Sequence, residues 1–344
     1  MSFTLDVYKR WGTFTLDVKL SQGGGILGLL GASGCGKSKT LQCLAGIERP
    51  ERGRVVVNGR VLFDAEKKID VKVQQRRVGY LFQHYALFPN MTVAENIACG
   101  LRQKDKGAEK IAAMLRRFHL TGLENQKPAE LSGGQQQRTA LARIMINEPE
   151  ILLLDEPFSA LDSYLKEKVI TEVKTMLAAF PRDVILVTHS RDEAYQLCDD
   201  LAILDHGRVS RYGPAKAVFA DPQSRVAAIL TGCKNIVAAK KAGTHEVYIP
   251  AWQLTLHTNH PVADNLTAIG IRAHAFRPQE EANRQAVQIT EIVEQPFEWI
   301  VKFRYPGQQE GAADIWWRFA KPARPSDFAP ALGVSGKDIL LLYR

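Results

Sequence analysis

One glycine-rich stretch has the residue types and spacing of a phosphate-binding site. The segment Gly31-Ala32-Ser33-Gly34-Cys35-Gly36-Lys37-Ser38 fits the pattern G-x-x-x-x-G-K-[ST]. Because glycines lack a Cβ atom, this backbone is free to take positive φ angles and curl around an anion, with its N–H groups pointing inward. We expect Lys37 to reach the β- and γ-phosphates of a nucleotide and the Ser38 hydroxyl to bind Mg²⁺.

Two acidic residues and one histidine follow apolar runs further along the chain. The run Ile151–Leu154 is typical of a strand buried on both faces, and Asp155 and Glu156 come directly after it. In open α/β sheets, ligands bind at the carboxyl ends of the strands. Asp155 is therefore placed to hold Mg²⁺, and Glu156 to orient or deprotonate an attacking water. His189 ends the similar run that starts at Val184, and we expect it to contact the γ-phosphate.

Two further segments each allow two interpretations. Trp11 lies between two short alternating strands and is either a stacking partner for a purine base or an aromatic residue of a hairpin core. The segment Leu131–Gln135 precedes a helix. Its turn, Ser132-Gly133-Gly134, is either a simple helix cap or a helix N-terminus that binds an anion. Taken alone, each segment leaves the choice open.

The elements that position these residues follow from local patterns. A short apolar strand precedes the phosphate loop at residues 25–30, and a helix is predicted over 37–44. Residues 90–148 have mostly helical patterns, beginning with a capping box in which Thr92 is the N-cap and Glu95 stands three residues later. The sequence thus predicts an α/β domain with an inserted helical subdomain at about residues 90–148.

Composition sets the broad class of the protein. The 344 residues are enough for two domains, and the charged fraction of 24% is ordinary for a globular protein. The five cysteines lie far apart, which argues against a disulfide framework or a zinc site. The net charge of +8 comes from scattered residues, so no nucleic-acid surface is predicted. Without an apolar run of membrane length or a secretory leader, the chain is expected to stay in the cytoplasm.

The pattern changes near residue 234. From about residue 236 to 344, short strands separated by prolines predict a small all-β barrel. Trp316 and Trp317 alternate faces on one of these strands, so one of the two is expected in the core.

Taken together and in order, these motifs resemble those of the ATP-binding cassette (ABC) ATPases, over roughly residues 1–232. The matching pieces are the phosphate loop, the loop glutamine Gln83, the signature segment Leu131–Gln135, Asp155 with Glu156, the loop Ser159–Asp162 and the switch histidine His189. The resemblance implies an α/β P-loop NTPase fold with an inserted helical subdomain, followed by a regulatory (TOBE-like) barrel at 236–344. That barrel either binds an oxyanion or serves only dimerisation and stability.

The resemblance also assigns roles to single residues. It implies Glu156, His189 and Gln83 as catalytic residues, and Ser38, Gln83 and Asp155 as Mg²⁺ ligands. It implies ATP contacts from Trp11, from Gly31, Ala32, Ser33, Gly34, Cys35, Gly36, Lys37, Ser38 and Lys39, and from Ser132, Gly133, Gly134 and Gln135. Lys39 departs from the family pattern, which usually has Thr or Ser there. Because Lys39 lies past the Mg²⁺ ligand, little effect on the chemistry is expected.

The family pattern further implies a head-to-tail homodimer. Each of two ATP molecules lies between the phosphate loop of one subunit and Ser132-Gly133-Gly134 of the other. Chains of this kind without membrane spans resemble importer subunits, which work at the cytoplasmic face of the membrane with permease subunits and, through them, a solute-binding protein. The segment from Gln83 to Ile97 resembles the importer version.

The solute is indicated by weaker resemblances. Three segments look most like the molybdate importers: Val61–Asp70, Gln75–Tyr80 and Thr231–Ile236. Importers of sulfate, tungstate, a polyamine or a sugar remain alternatives. A soluble ABC protein acting on nucleic acid or ribosomes is a different class, and such chains usually carry two cassettes or a long coiled coil.

Overall fold

The computed structural model describes residues 3–101, 107–159, 161, 163–178, 180–327 and 331–343. The chain divides into two compact units, Met1–Ala215 and Lys216–Arg344. The predicted domain boundary, with the first domain ending at residue 232 and the second starting at residue 236, stays a prediction. No helix in the described parts of the chain has both the length and the apolar character needed to cross a bilayer.

The first unit contains one large mixed sheet with helices around it. Its strands are β1 (Phe3–Trp11), β2 (Phe14–Gln22), β3 (Ile26–Leu30), β4 (Arg52–Val57), β5 (Arg60–Asp64), β6 (Ile69–Asp70), β7 (Val78–Leu81), β8 (Ile151–Asp155), β9 (Val184–Thr188), β10 (Asp200–Asp205) and β11 (Arg208–Pro214). Its helices are α1 (Lys37–Ala45), α2 (Val93–Ala98), α3 (Gly107–Arg117), α4 (Gly133–Met145), α5 (Ser163–Ala178) and α6 (Arg191–Leu197).

The strand order places the predicted site residues at one edge. The order is β6-β5-β4-β1-β2-β11-β10-β3-β9-β8-β7, and the strands from β10 to β7 run parallel. The phosphate loop therefore leaves the carboxyl end of β3 beside the ends of β9 and β8. This sheet with its helices confirms the predicted α/β P-loop fold.

Burial explains why these segments form strands. Every residue of β8 and β9 is buried, as expected for central parallel strands covered on both faces. In β2 buried and exposed residues alternate, which is typical of a strand with one face on the core. The Asn58-Gly59 turn between β4 and β5 has φ angles of 50° and 78°, the left-handed pair that a two-residue hairpin turn requires.

Several local predictions can be compared with the structure. The helix predicted over 37–44 is α1, and the capping box at Thr92 and Glu95 is present at α2. Trp11, predicted in the hairpin turn, is instead the last residue of β1 and pairs with Phe14. Within the region predicted as mostly helical, α3 ends at Arg117, because His119 takes a positive φ angle of 52° that a right-handed helix cannot continue through.

The second unit consists mainly of short antiparallel strands, which confirms the all-β prediction in the form of small sheets. The strands are β12 (Asn235–Ala238), β13 (Lys240–Gly243), β14 (Glu246–Ile249), β15 (Leu254–His257), β16 (Leu266–Ile271), β17 (Gln285–Ala286), β18 (Gln288–Glu294), β19 (Glu298–Arg304), β20 (Ile315–Ala320), β21 (Ala331–Leu332) and β22 (Ile339–Tyr343). Their sheets have the orders β12-β16-β22, β13-β14-β15, β17-β21 and β18-β19-β20. Two short helices, α7 (Ala215–Ala220) and α8 (Arg225–Leu230), precede these strands. Trp317 is buried and Trp316 is not, as the alternation predicts.

Candidate functional site

The phosphate loop turns sharply between β3 and α1. Gly34 and Gly36 have φ angles of +78° and +106°, so both need the conformational freedom of glycine. Gly31 does not take a positive φ angle, so its role differs from that of the other two glycines. A Cβ atom there would lie 2.5 Å from Cys35 Sγ and 2.6 Å from the Leu204 carbonyl oxygen, so Gly31 is required for close packing.

The Lys37 ammonium lies over the loop that precedes it. Lys37 is the first residue of α1 and only 5% exposed. Its Nζ donates to the carbonyl oxygens of Gly31 at 2.8 Å and Ala32 at 2.9 Å. A positive charge is thus fixed beside the free N–H groups of a helix N-terminus, where a phosphate is attracted by both.

Asp155 joins the loop to the sheet. Ser38 Oγ donates to Asp155 Oδ1 at 2.8 Å, across 117 residues of sequence. The Tyr80 hydroxyl donates to Asp155 Oδ2, also at 2.8 Å. Burial raises the pKa of the Asp155 carboxyl, while the hydrogen bonds from Tyr80 and Ser38 and the charge of Lys37 act in the opposite direction. Tyr80 was missed by the sequence analysis, since nothing local indicates that β7 lies next to β8.

The oxygen atoms of Ser38 and Asp155 fit a magnesium ion. A hydroxyl and a carboxylate stand within hydrogen-bonding distance of each other, and Mg²⁺ prefers oxygen ligands of this kind. Gln83, the third predicted ligand, lies in an exposed segment just after β7. No hydrogen bond between described residues joins Gln83 to Asp155 or Glu156. The predicted Mg²⁺ role of Gln83 therefore stays a prediction.

Glu156 and His189 face each other across neighbouring strand ends. His189 Nδ1 lies 3.2 Å from Glu156 Oε2. Glu156 has a φ angle of +46°, and its backbone N–H donates to the Val187 carbonyl at 3.0 Å. A left-handed conformation in a non-glycine residue is strained, and such strain is common at functional sites. The backbone here turns the Glu156 side chain out of the strand direction at the end of β8.

A buried network fixes the backbone on either side of His189. Thr188 Oγ1 donates to the Glu193 carboxylate, and the Ser190 N–H donates to Thr188 Oγ1 at 2.9 Å. Glu193 also pairs with Lys166 Nζ at 2.6 Å. These contacts hold the turn between β9 and α6, so the position of His189 is set by a fully bonded polar cluster.

Arg143 of α4 holds the segment that follows Gln83. Its guanidinium donates to the carbonyl oxygens of Ala86 at 2.8 Å and Tyr85 at 3.0 Å. The Tyr85 hydroxyl in turn donates to the Pro157 carbonyl at 3.2 Å. The Gln83 segment is thereby linked both to α4 and to the residue after Glu156.

The signature segment forms the N-terminus of α4. Ser132 is the N-cap, and it exchanges hydrogen bonds with Gln135 in a capping box. Gly133 and Gly134 open the helix, and Gly134 packs so close to Val169 of α5 that an added Cβ would lie 3.2 Å from it. No hydrogen bond between described residues joins this helix end to the phosphate loop of the same chain. Of the predicted loop Ser159–Asp162, Ala160 and Asp162 lie outside the described residues.

Trp11 lies next to the phosphate loop and is half-buried. Its ring centroid is 6.2 Å from that of Phe14. A Cβ atom at Gly36 would lie 2.9 Å from the Phe14 ring, so the hairpin packs directly on the loop. Lys9 and Lys39 place their ammonium groups 4.7 Å and 5.2 Å from the indole centroid. Both interpretations of Trp11 remain open, since the ring packs on the core and keeps an exposed part.

The chain is similar in sequence to known proteins. Residues 15–159 match the sequence profile described as ABC transporter. Over 224 residues the chain is 40% identical to the "Molybdenum import ATP-binding protein ModC" of Paramagnetospirillum magneticum, covering 64% of this chain and 61% of that protein. It is 41% identical to the "Spermidine/putrescine import ATP-binding protein PotA" of Oleidesulfovibrio alaskensis, covering 62% and 57%. The chain thus spans less than two thirds of the length of these two relatives.

A longer match and a solved structure extend the comparison. The chain is 38% identical to the "Sulfate/thiosulfate import ATP-binding protein CysA 2" of Chromobacterium violaceum, covering 75% of this chain and 71% of that protein. The solved structure titled "Dimeric structure of a post-hydrolysis state of the ATP-binding cassette MJ0796 bound to ADP and Pi" superposes with a TM-score of 0.52 at 29% identity. That match covers 62% of this chain and 99% of the other.

Proposed function

The chain belongs to the ABC transporter family of ATP-binding proteins, and from this premise we propose that it binds and hydrolyses ATP as the energy-coupling subunit of an importer. One observation carries the proposal. Lys37 and Ser38 follow β3, Asp155 and Glu156 stand at the end of β8, and His189 follows β9, so all five lie at the carboxyl ends of three neighbouring parallel strands.

Each residue of the site has a distinct proposed task. The phosphate loop with Lys37 holds the β- and γ-phosphates through N–H groups and an ammonium. Ser38 and Asp155 would hold Mg²⁺, which neutralises phosphate charge when bound. Glu156 orients and accepts a proton from the attacking water, and His189 fixes Glu156 and contacts the γ-phosphate. Gln83 is proposed as a further catalytic residue and as a third Mg²⁺ ligand.

We further propose a head-to-tail homodimer in which Ser132-Gly133-Gly134 of one subunit completes the ATP site of the other. The N-terminus of α4 is exposed at Ser132 and carries a partial positive charge, so it suits a γ-phosphate. The solved ATP-binding cassette named above is dimeric by its title. Closure on ATP and opening after hydrolysis would drive permease subunits at the cytoplasmic face of the membrane, which receive solute from a binding protein.

For the solute we propose an oxyanion, with molybdate first. The support is the name of one relative and the resemblance of three segments to molybdate importers, namely Val61–Asp70, Gln75–Tyr80 and Thr231–Ile236. Other relatives are named for sulfate/thiosulfate and for spermidine/putrescine. Sulfate, tungstate, a polyamine and a sugar are therefore the alternatives, and the second unit is proposed as a regulatory domain. A soluble role on nucleic acid or ribosomes is the alternative of a different class.

The ATPase proposal is tested with Glu156→Gln and Lys37→Ala. We expect Glu156→Gln to bind ATP and to lose at least about 100-fold in turnover, because the base is gone while the phosphate contacts remain. Lys37→Ala should instead lose nucleotide affinity. Steady-state hydrolysis and equilibrium dialysis with labelled ATP give both quantities. Turnover of Glu156→Gln near that of the wild type would refute the role of Glu156.

The dimer is tested in the Glu156→Gln background. Ser132→Asp keeps a good N-cap residue for α4 but places a negative charge where the γ-phosphate of the other subunit is expected. ATP should then fail to produce a dimer in size-exclusion chromatography with light scattering. Ser224→Asp, at the N-cap of α8, is the matched control and should dimerise. A dimer in both variants would contradict the proposed arrangement.

The solute is tested by elemental analysis. Cells that carry Glu156→Gln in the chromosomal copy are grown in trace molybdate, and cellular molybdenum is measured by mass spectrometry. A large loss that excess molybdate restores is the expected result. Unchanged molybdenum would reject molybdate, and uptake of labelled sulfate, polyamine and sugar would then identify the solute.

A further inference from the structure

A compact charged cluster lies beside Trp11 and the start of α1. Glu48 Oε2 accepts from Lys9 Nζ at 2.6 Å, and Glu48 Oε1 accepts from Lys39 Nζ at 2.6 Å. One carboxylate thus binds two ammonium groups, one from β1 and one from the first turn of α1. The hydrogen bonds from Lys39 and Lys9 lower the pKa of the Glu48 carboxyl to about 2, so it is ionised at any working pH.

The same two ammonium groups lie beside the indole ring of Trp11. Lys9 and Trp11 are two residues apart on β1 and so point to the same side of the strand. With Lys39 also 5.2 Å from the ring centroid, both ammonium groups are within cation–π distance. The Lys9 and Glu48 side chains are 17% and 23% exposed, whereas Lys39 is 41% exposed, so the Lys9–Glu48 pair is the one better shielded from solvent.

The cluster lies close to the phosphate loop. Lys39 stands directly after Ser38, and Phe14, the strand partner of Trp11, packs on Gly36 of the phosphate loop. The Trp11 ring and its two ammonium neighbours therefore lie next to the loop that is proposed to bind the phosphates.

We infer that Lys9, Glu48 and Lys39 form a brace that fixes the Trp11 ring as a preorganised platform for the nucleobase. The inference rests on the proposed ATP binding. Glu48 holds the two ammonium groups together, and these in turn hold the ring through cation–π contacts. A ring fixed before the nucleotide arrives binds the base with a smaller loss of side-chain freedom. Glu48 and the two lysines are thus positioning residues that act through Trp11.

The brace predicts a change in base recognition rather than in phosphate recognition. The measured quantity is the ratio of ATP affinity to tripolyphosphate affinity, because tripolyphosphate has the phosphates without the base. Equilibrium dialysis with labelled ATP gives the first value and its displacement by tripolyphosphate gives the second. We expect Glu48→Gln to lower this ratio by about three- to tenfold, since the two lysines lose their shared counter-charge and leave the ring.

Three further variants make the result specific. Lys39→Thr should lower the ratio by a smaller factor, because Lys9 and Glu48 still pair. Lys39→Arg keeps both the ion pair and the contact with the ring, so its ratio should stay near that of the wild type. Glu51→Gln is the matched control. It removes the same charge from a residue that accepts a hydrogen bond from the Arg10 backbone N–H, and its ratio should not change.

The outcomes separate this inference from the proposed function. An unchanged ratio in Glu48→Gln and Lys39→Thr would overturn the brace while leaving ATP binding in place. Equal losses of ATP and tripolyphosphate affinity would also overturn it, since the lysines would then act on the phosphates. If the wild type bound neither compound, the proposed function itself would fail, and the inference with it.

Discussion

Tyr80 donates its hydroxyl hydrogen to Asp155 Oδ2 at 2.8 Å, between two neighbouring parallel strands whose sequences are 75 residues apart. Burial raises the pKa of the Tyr80 hydroxyl, and the nearby Asp155 carboxylate raises it further, so Tyr80 remains a donor. Asp155 therefore has one oxygen bound by Tyr80 and the other by Ser38. Its carboxylate is held in one orientation, with Oδ1 directed at the phosphate loop.

Removing that donor is expected to cost stability. Tyr80→Phe leaves a buried carboxylate with one hydrogen bond fewer, and we expect the free energy of unfolding to fall by about 1–3 kcal/mol. Urea unfolding followed by circular dichroism measures the change. Tyr212→Phe is the control, because its hydroxyl bonds the Ser21 carbonyl at an exposed position, and it should lose less than about 1 kcal/mol. If Tyr80→Phe and Tyr212→Phe lost the same free energy of unfolding, the Tyr80–Asp155 hydrogen bond would not contribute more than an exposed one.

The contact between His189 and Glu156 predicts a defect in turnover. Because His189 orients Glu156, we expect His189→Ala to lower kcat for ATP hydrolysis by about 10- to 100-fold. The phosphate loop is untouched, so the loss should appear mainly in kcat rather than in nucleotide affinity. Steady-state kinetics and equilibrium dialysis separate the two. His245→Ala, in the second unit, is the control, and a kcat for His189→Ala equal to the control would be incompatible with this pairing.

A methyl group added at Gly46, directly after α1, is expected to lower the free energy of unfolding strongly. Arg76 is fully buried and donates to the carbonyl oxygens of Leu44 and Cys43 at the helix C-terminus. A Cβ atom at Gly46, whose φ angle is +82°, would lie 2.5 Å from the Arg76 guanidinium. We expect Gly46→Ala to lower the free energy of unfolding by about 3 kcal/mol, through left-handed strain and displacement of this cap.

The matched control for Gly46 is Gly59→Ala. Gly59 has a similar φ angle of +78°, but nothing lies within 4 Å of the added Cβ atom. Only the conformational strain remains, and the expected loss is about 1 kcal/mol. Thermal and urea unfolding of the two variants compare the values. Equal losses would show that Arg76 moves aside without cost.

A buried acid predicts pH-dependent stability. Asp183 is completely buried, and within the described residues neither carboxylate oxygen has a hydrogen-bond partner. Burial raises the pKa of this carboxyl above its usual value of 3.8. The folded state therefore favours the protonated acid. This contribution is fully present below pH 3.8 and is lost as the pH rises through the folded pKa.

The corresponding variant is Asp183→Asn, which cannot ionise. At pH 8 we expect it to be more stable than the wild type by about 1 kcal/mol or more, and near pH 4 the difference should shrink. Thermal unfolding at the two pH values measures this. Asp17→Asn, at an exposed position, should change stability by less than about 0.5 kcal/mol at both. If Asp183→Asn were less stable than the wild type at pH 8, the predicted stabilisation would be wrong.

Much of the fold was open to prediction from local patterns. The continuous apolar runs before Asp155 and His189 predicted buried parallel strands, because only such strands lack a polar face. In the second unit the sequence predicted short strands as a class, but not the position of every one of them. Strands such as β17 and β21 have two residues each, too few to show an alternation.

The sequence by itself determined which residues can do chemistry. The glycines, Lys37 and Ser38 are recognised from spacing alone, because a phosphate loop is a continuous piece of backbone. The tertiary structure decided which side chains meet. Tyr80 with Asp155, and Glu48 with Lys9 and Lys39, come from separate elements brought together by the strand order and by the packing of α1. Local periodicity records which face of an element is buried but not which neighbour covers it, and that neighbour is chosen by long-range packing.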